Sequence, residues 1–404
     1  MGIPRLRAYT GPAFLSYGFR PFFFLGSLYA SLSILLWLPM YAGELNAHSA
    51  FVPVDWHIHE MLFGYLSAIV TGFLLTAIPN RTGRLPVQGL PLLALVVLWL
   101  AGRVAVFVSA DIGWEAAAVI DGSFLLAVAA AAAREIVAGR NWRNLKVLLP
   151  LAVLAGANGT FHIEAHLQGT SNISRRLGMA AAIMLISLIG GRIIPSFTRN
   201  WLVRENPGRL PAPFDRFDMA SIAISAIALG AWTFAPDNSA SGMLLAAAAI
   251  SQAWRLSRWA GERTLRDPLV LVLHLAYAFV PVGLALVSVS IFFPDAVPAA
   301  AGLHALGTGA VGAMTLAVMT RATLGHTGRE LKAGKGASFI FGAVLLAGSL
   351  RILAAFVPYD IVIDMAGTAW VAAFAGFILI YGSALIRPKV RRGGGESRRP
   401  SKRE

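Results

Sequence analysis

The sequence predicts an all-α, polytopic membrane helix bundle of about twelve spans, and three observations carry that prediction. Charged residues make up 13% of the chain and hydrophobic residues 57%. Apolar runs near twenty residues recur along the whole length, each long enough at roughly 1.5 Å per residue to cross a ~30 Å hydrocarbon core. Between these runs the basic residues alternate, loop by loop, from abundant to almost absent.

Taken in order, the spans fall at approximately 22–42, 57–79, 90–108, 113–137, 145–166, 174–198, 215–235, 238–258, 268–293, 298–320, 337–356 and 361–386. Of the 34 Lys and Arg, 29 belong to the N-terminus and every second loop, with Arg134, Arg140, Arg143 and Lys146 around one loop. The intervening loops hold Arg175 and Arg176 beside Glu44, Asp55, Asp111, Asp237, Asp295 and Asp360. The positive-inside rule then places both termini and the basic loops in the cytoplasm, as expected of a multi-pass protein of a plasma membrane. Residues 1–386 read as one transmembrane domain, and the basic stretch from Arg387 to Glu404 reads as a disordered tail attracted to anionic lipid.

The net charge of +14 belongs to this topology rather than to nucleic-acid binding, which normally uses a soluble module with base-reading or stacking residues. Arg5 and Arg7 precede a span of full length, so no cleavable leader is read. With no cysteine, the chain has no disulfide, thiolate metal site, iron–sulfur cluster or covalent haem linkage. Any metal rests on His, Met, Asp or Glu.

One segment occurs twice. HEMLFGYLSAIVTGFLLTAIPNRTGR runs from His59 to Arg84, and HALGTGAVGAMTLAVMTRATLGHTGR from His304 to Arg329. Aligned without a gap they share the histidine, Gly64 with Gly309, Ala68 with Ala313, Ala77 with Ala322 and the closing Thr-Gly-Arg. The relation extends further, from Leu15-x-Tyr17-x-Phe19-x-Pro21 to Leu275-x-Tyr277-x-Phe279-x-Pro281. The third span of each group carries one arginine (Arg103, Arg351) and the fourth one aspartate (Asp121, Asp364). Spans 1–4 (about 14–137) and 9–12 (about 268–386) therefore read as two parallel copies of a four-helix unit, flanking central spans over 145–258.

Counting outward to the connecting loops puts Arg103 level with Asp121 and Arg351 level with Asp364. A lone arginine in a span costs roughly 2.5 to 3.5 kcal/mol on insertion scales, so an ion pair is the plain expectation. The functional alternative is that Arg103 or Arg351 faces an anionic group such as a haem propionate.

Five of the eight histidines fall in one leaflet: His57 and His59 opening span 2, His162 and His166 closing span 5, and His304 in the first turns of span 10. His162 and His166 are four apart and share a helical face, as two ligands of one metal require. His57 and His59 lie about 200° apart on an ideal helix, so they converge only if the helix begins between them and otherwise address different sites. Imidazole without thiolate suits haem iron, copper or zinc. Glu60 and Glu164 stand beside these histidines, placed either for hydrogen bonds to imidazole or for helix-end solvation.

Tyr17-Gly-Phe-Arg-Pro-Phe-Phe, Trp56-His-Ile-His-Glu-Met, Gly72-Phe-Leu-Leu-Thr-Ala-Ile-Pro-Asn-Arg-Thr-Gly and Leu324-Gly-His-Thr-Gly-Arg together resemble the NnrS family. The resemblance covers nearly the whole chain. It implies a bacterial inner-membrane protein of twelve spans that contains haem and copper and takes part in the response to nitric oxide, often near denitrification functions. The family's histidine motifs correspond to His57, His59, His162, His166 and His304, without assigning each to iron or copper.

Residues and resemblance together read as a haem b- and copper-binding membrane protein that senses, binds or detoxifies nitric oxide, with an unidentified electron donor and enzyme status open. The competing class is a proton-coupled secondary transporter, which twelve spans, parallel repeats and paired intramembrane charges also fit. A carrier concentrates its coupling residues near the midplane, whereas these histidines lie in the outer leaflet. A structural partner of a respiratory complex would hold no metal.

Overall fold

The computed structural model describes residues 9–82, 85–140, 142, 148–357 and 359–389, with side chains from Asn80 to Thr82 excepted. Arg5, Arg7, the Gly83-Arg84 end of the first repeat copy, Arg143, Lys146 and the tail from 390 onward lie outside the described residues.

Among the described residues the chain forms twelve long helices and no strand. In order they are α1 (Phe19–Tyr41), α2 (Pro53–His59, continuing through Glu60–Tyr65 and Leu66–Thr82), α3 (Leu90–Phe107), α4 (Trp114–Ala138), α5 (Leu148–Gln168) and α6 (Ile173–Leu185, Ile186–Gly190, Gly191–Glu205). Then come α7 (Arg216–Phe234), α8 (Ser239–Ser257), α9 (Pro268–Phe292), α10 (Ala299–His304, Ala305–Gly312, Ala313–His326), α11 (Lys335–Leu353) and α12 (Asp360–Ile386). Ten are long and apolar enough to cross a membrane. The other two, α5 and α8, have the length, but Asn158, His162 and Glu164 dilute one and Gln252 and Arg255 the other. Those polar side chains are buried inside the protein, where lipid does not meet them.

Helix starts follow local chemistry. Pro53 and Pro268 sit in first turns, where the missing N–H costs nothing. Asp215, Asn238 and Asp267 cap α7, α8 and α9, accepting from backbone N–H groups of the first turn. Asp55, in the first turn of α2, is buried and accepts from the backbone N–H and hydroxyl of Ser171 at 3.0 and 2.8 Å, which fixes the α5–α6 turn against the entry to α2.

The two outer groups of four helices share one set of neighbours. In each group the first helix packs on the second, the second on the third and fourth, and the third on the fourth: α1 to α4 repeat as α9 to α12. The correspondence reaches the backbone, because α2 and α10 both widen into π-helix, over Glu60–Tyr65 and Ala305–Gly312. A π-helical stretch carries an extra residue, shifts the face beyond it and is frequent at functional sites. Helix α6 packs against both π-helical stretches, with Leu62 and Phe63 near Gly178 and Gly307 near Met179.

Candidate metal centre

Four helices bring polar side chains to the end of the bundle opposite the basic loops. α2 supplies His59 and Glu60, α3 supplies Arg103, α4 supplies Asp121, and α5 supplies Asn158 and His162; all six are buried. Two small residues allow the approach. A Cβ on Gly64 would lie 2.6 Å from Arg103 Nη1 and 2.7 Å from Glu60 Oε2, and one on Gly102 would lie 3.0 Å from Asp121 Oδ1. The Gly64 carbonyl, within the π-helical turn, accepts from Trp99 Nε1 at 2.9 Å, which seats α3 against α2.

Asp121 is the hub. Arg103 Nη2 donates to its Oδ1. Asn158 Nδ2 donates to its Oδ2 at 2.7 Å, and the same oxygen lies 3.3 Å from His59 Nε2 and 3.3 Å from His162 Nε2. Glu60 is the second acid: Oε1 lies 2.8 Å from His59 Nδ1, and Oε2 accepts from Arg103 Nη1 and from the Tyr29 hydroxyl. The expectation that Arg103 pairs with Asp121 is met, and Glu60 shares the guanidinium.

This geometry fits a bound cation. His59, Asp121 and His162 each present one ligand atom, and the three atoms lie within 4.8 Å of one another. Tetrahedral ligands at ~2.0 to 2.1 Å from one ion stand about 3.3 Å apart, the separation found between Asp121 Oδ2 and each imidazole Nε2. His59 Nε2 also faces Asn158 Oδ1 at 2.9 Å, so both of its ring nitrogens look at oxygen acceptors. Charge is compatible with this: two acids, Glu60 and Asp121, share the single guanidinium of Arg103, so a cation between the imidazoles would meet a carboxylate-rich surrounding. The rings of Phe51, Phe63 and Phe161 lie 5.1 to 5.2 Å from the His59 ring and wall the cluster with apolar surface.

The remaining histidines separate. Helix α2 begins at Pro53, ahead of both His57 and His59, so the two point to different places. His57 stacks on Trp37 with ring centroids 4.3 Å apart, and its Nδ1 is buried without a hydrogen-bond partner. Arg351 lies 5.9 Å from the same Trp37 ring, and His304 has Arg351 and His57 as titratable neighbours. His57 and Arg351 thus meet at Trp37, and His304 lies within electrostatic reach of both.

The structure places three further residues away from these clusters. His166 does not join His162: it is exposed and stacks on Trp114 at 4.4 Å, because Trp114 opens α4 beside the last turn of α5. Glu164 does not bond a histidine; it accepts from the backbone N–H groups of Asn172, Ile173 and Ser174 at 3.0, 3.1 and 2.9 Å and clamps the start of α6. Arg351 makes no ion pair with Asp364, which lies on an exposed face of α12. Sequence reasoning assigns Asp121 only to an ion pair and passes over Asn158. The signal for Asn158 is its place one turn before His162, on the same face of α5.

A search of curated proteins gives no match to this chain. The family model described as NnrS protein matches residues 13–389. Nearly the whole bundle, including every residue of both histidine clusters, falls inside that match, and the chain belongs to the NnrS family.

Proposed function

We propose that this protein is a haem- and copper-binding membrane protein of the bacterial nitric-oxide response, with twelve spans, both termini cytoplasmic and both centres in the periplasmic leaflet. The observation that carries the reading is the convergence of His59 Nε2, His162 Nε2 and Asp121 Oδ2 in a buried pocket of net negative charge. Two imidazoles and a carboxylate without thiolate suit copper, in apolar surroundings of phenylalanine rings.

Haem b belongs to the other cluster. His57 and His304 offer imidazoles for iron, the unpartnered His57 Nδ1 marks a buried polar atom that lacks its bond, and Arg351 is free of carboxylates among the described residues and can receive a propionate. When bound, haem would supply an iron able to take nitric oxide, and copper would supply a one-electron redox couple.

The chain's own residues prepare the copper pocket. With a cation bound, Glu60 would accept the Nδ1–H of His59 and so leave the Nε2 lone pair to the ion beside Asp121 and His162. Arg103 donates to both carboxylates, and Tyr29 anchors the second oxygen of Glu60. Phe51, Phe63 and Phe161 exclude water. The carrier reading finds less support: the most buried charged pair elsewhere among the described residues, Arg255 with Asp218 at 2.8 Å, lies at the helix ends nearest the basic loops rather than at mid-depth.

The test is metal analysis and an absorption spectrum of detergent-purified protein grown with haem and copper supplied. The expected result is one copper per chain and a Soret band with a b-type pyridine haemochrome. Colourless, copper-free folded protein would overturn the reading in favour of the carrier.

A further inference from the structure

At the opposite end of the bundle from the two histidine clusters, a cavity of about 1540 Å³ opens between the end of α6, the start of α9 and the segment joining α10 to α11. Five cations line it: Arg204, Arg266, Arg329, Lys332 and Lys389. Three acids, Glu205, Asp267 and Glu330, line it too. Asp267 is already engaged, because its carboxylate accepts from Leu269 N–H at 2.9 Å as the cap of α9. Among the described residues none of the five cations is in an ion pair; Arg204 and Arg329 instead donate to the Asn200 carbonyl at 3.1 Å and the Thr327 hydroxyl at 3.0 Å. Beneath them Arg321 lies 4.0 Å over the Phe197 ring and has Arg204 and Asp267 as charged neighbours.

A basin with this excess of unpaired positive charge recognises a phosphate group, which takes several N–H donors at once. The rim selects the source of that phosphate. Leu331, an exposed apolar side chain, lines the cavity beside Lys332, and Pro268 and Ala333 line it too. Trp201 also lines the cavity, as aromatic residues do where apolar and wet surfaces meet. A soluble anion needs the cations alone; an amphiphile uses both.

We propose that this cavity is a binding site for the phosphate head group of an anionic phospholipid, its acyl chains meeting the apolar rim. The lipid then bridges α6, α9 and the α10–α11 segment, which are distant in sequence and meet at this cavity.

Delipidated full-length protein in a zwitterionic detergent, titrated with short-chain phosphatidylglycerol and followed by native mass spectrometry and thermal unfolding, tests the site. One phosphatidylglycerol should bind per chain and raise the unfolding midpoint, and short-chain phosphatidylcholine should do neither. Each interfacial cation contributes about fivefold in affinity, so Arg266→Gln with Lys332→Gln should weaken binding on the order of twentyfold, while Arg266→Lys with Lys332→Arg preserves it. Equal binding of both lipids, or phosphatidylglycerol binding untouched by the double glutamine variant, would overturn the site. Inorganic phosphate producing the full midpoint shift at the same concentration would overturn the lipid assignment.

Discussion

His59 and His304 each occupy the last α-helical position before a π-helical stretch, in helices that hold the same place in two groups of four. Their next residues differ. Glu60 comes after His59 and Ala305 after His304, so the first copy acquires an acid that the second lacks. Arg103 consequently meets two carboxylates, and Arg351 meets none among the described residues. The two copies have diverged into sites of opposite charge, one suited to a metal cation and one to an anionic group beside two imidazoles.

The divergence predicts separable losses. His162→Ala should abolish copper while leaving the Soret band, because it removes one of three converging ligand atoms. His166→Ala should leave copper unchanged, since that ring rests on Trp114 at the exposed surface. Metal analysis with an absorption spectrum on each folded variant reads both; copper lost equally in the two would mean that His166 swings inward when the ion binds.

The two arginines should part company as well. Arg103→Ala leaves Glu60 and Asp121 buried without their common partner, a defect that typically costs about 3 to 5 kcal/mol, so folded yield should collapse. Arg351→Ala removes a guanidinium with no ion pair to break among the described residues, so the variant should fold with copper intact and lose haem. Fluorescence-detected size exclusion and a haemochrome assay distinguish these outcomes, and an Arg351→Ala protein with full haem would remove Arg351 from that site.

How much of this is legible in the chain depends on the kind of information. Span positions are readable because hydropathy and the alternation of basic loops are one-dimensional signals; the span expected at 22–42 runs Phe19–Tyr41, and the one expected at 361–386 runs Asp360–Ile386. Depth is readable too, which is why the histidines group near one end in sequence and structure alike. Azimuth is not. Arg351 and Asp364 fall at matching counts from their loop, yet a count along the chain fixes depth and leaves the facing direction free, and Asp364 faces outward. Nor does spacing reveal a long-range neighbour such as Trp114, whose ring draws His166 away from the metal face.

Gly64 is a packing constraint of the pocket. A methyl group there would lie 2.6 Å from Arg103 Nη1 and 2.7 Å from Glu60 Oε2, and both belong to the ion-paired network. Gly64→Ala should destabilise the fold by about 1 to 3 kcal/mol and lower copper affinity, whereas Gly156→Ala, where a Cβ meets open space, should do neither. Thermal unfolding and copper titration of the two proteins give the comparison, and identical behaviour would show that the network relaxes around the added methyl.

Glu164 gives the sharpest separation of scaffold from site. It lies two residues from His162 in the chain, but its carboxylate serves three backbone N–H groups and the Ser174 hydroxyl at the start of α6. Removing a helix cap costs about 0.5 to 2 kcal/mol, and here several donors lose their acceptor together, so Glu164→Ala should fall at the upper end and lower the unfolding midpoint. Its copper content per folded chain should equal that of the parent, because no ligand atom touches it. Asn158→Ala should show the reverse: it deletes the Nδ2 donor to Asp121 and the Oδ1 that faces His59, so copper binding should weaken more than the midpoint falls. If Glu164→Ala lost copper while Asn158→Ala kept it, the pocket would have to be rebuilt with the outer end of α5 as its wall rather than its support.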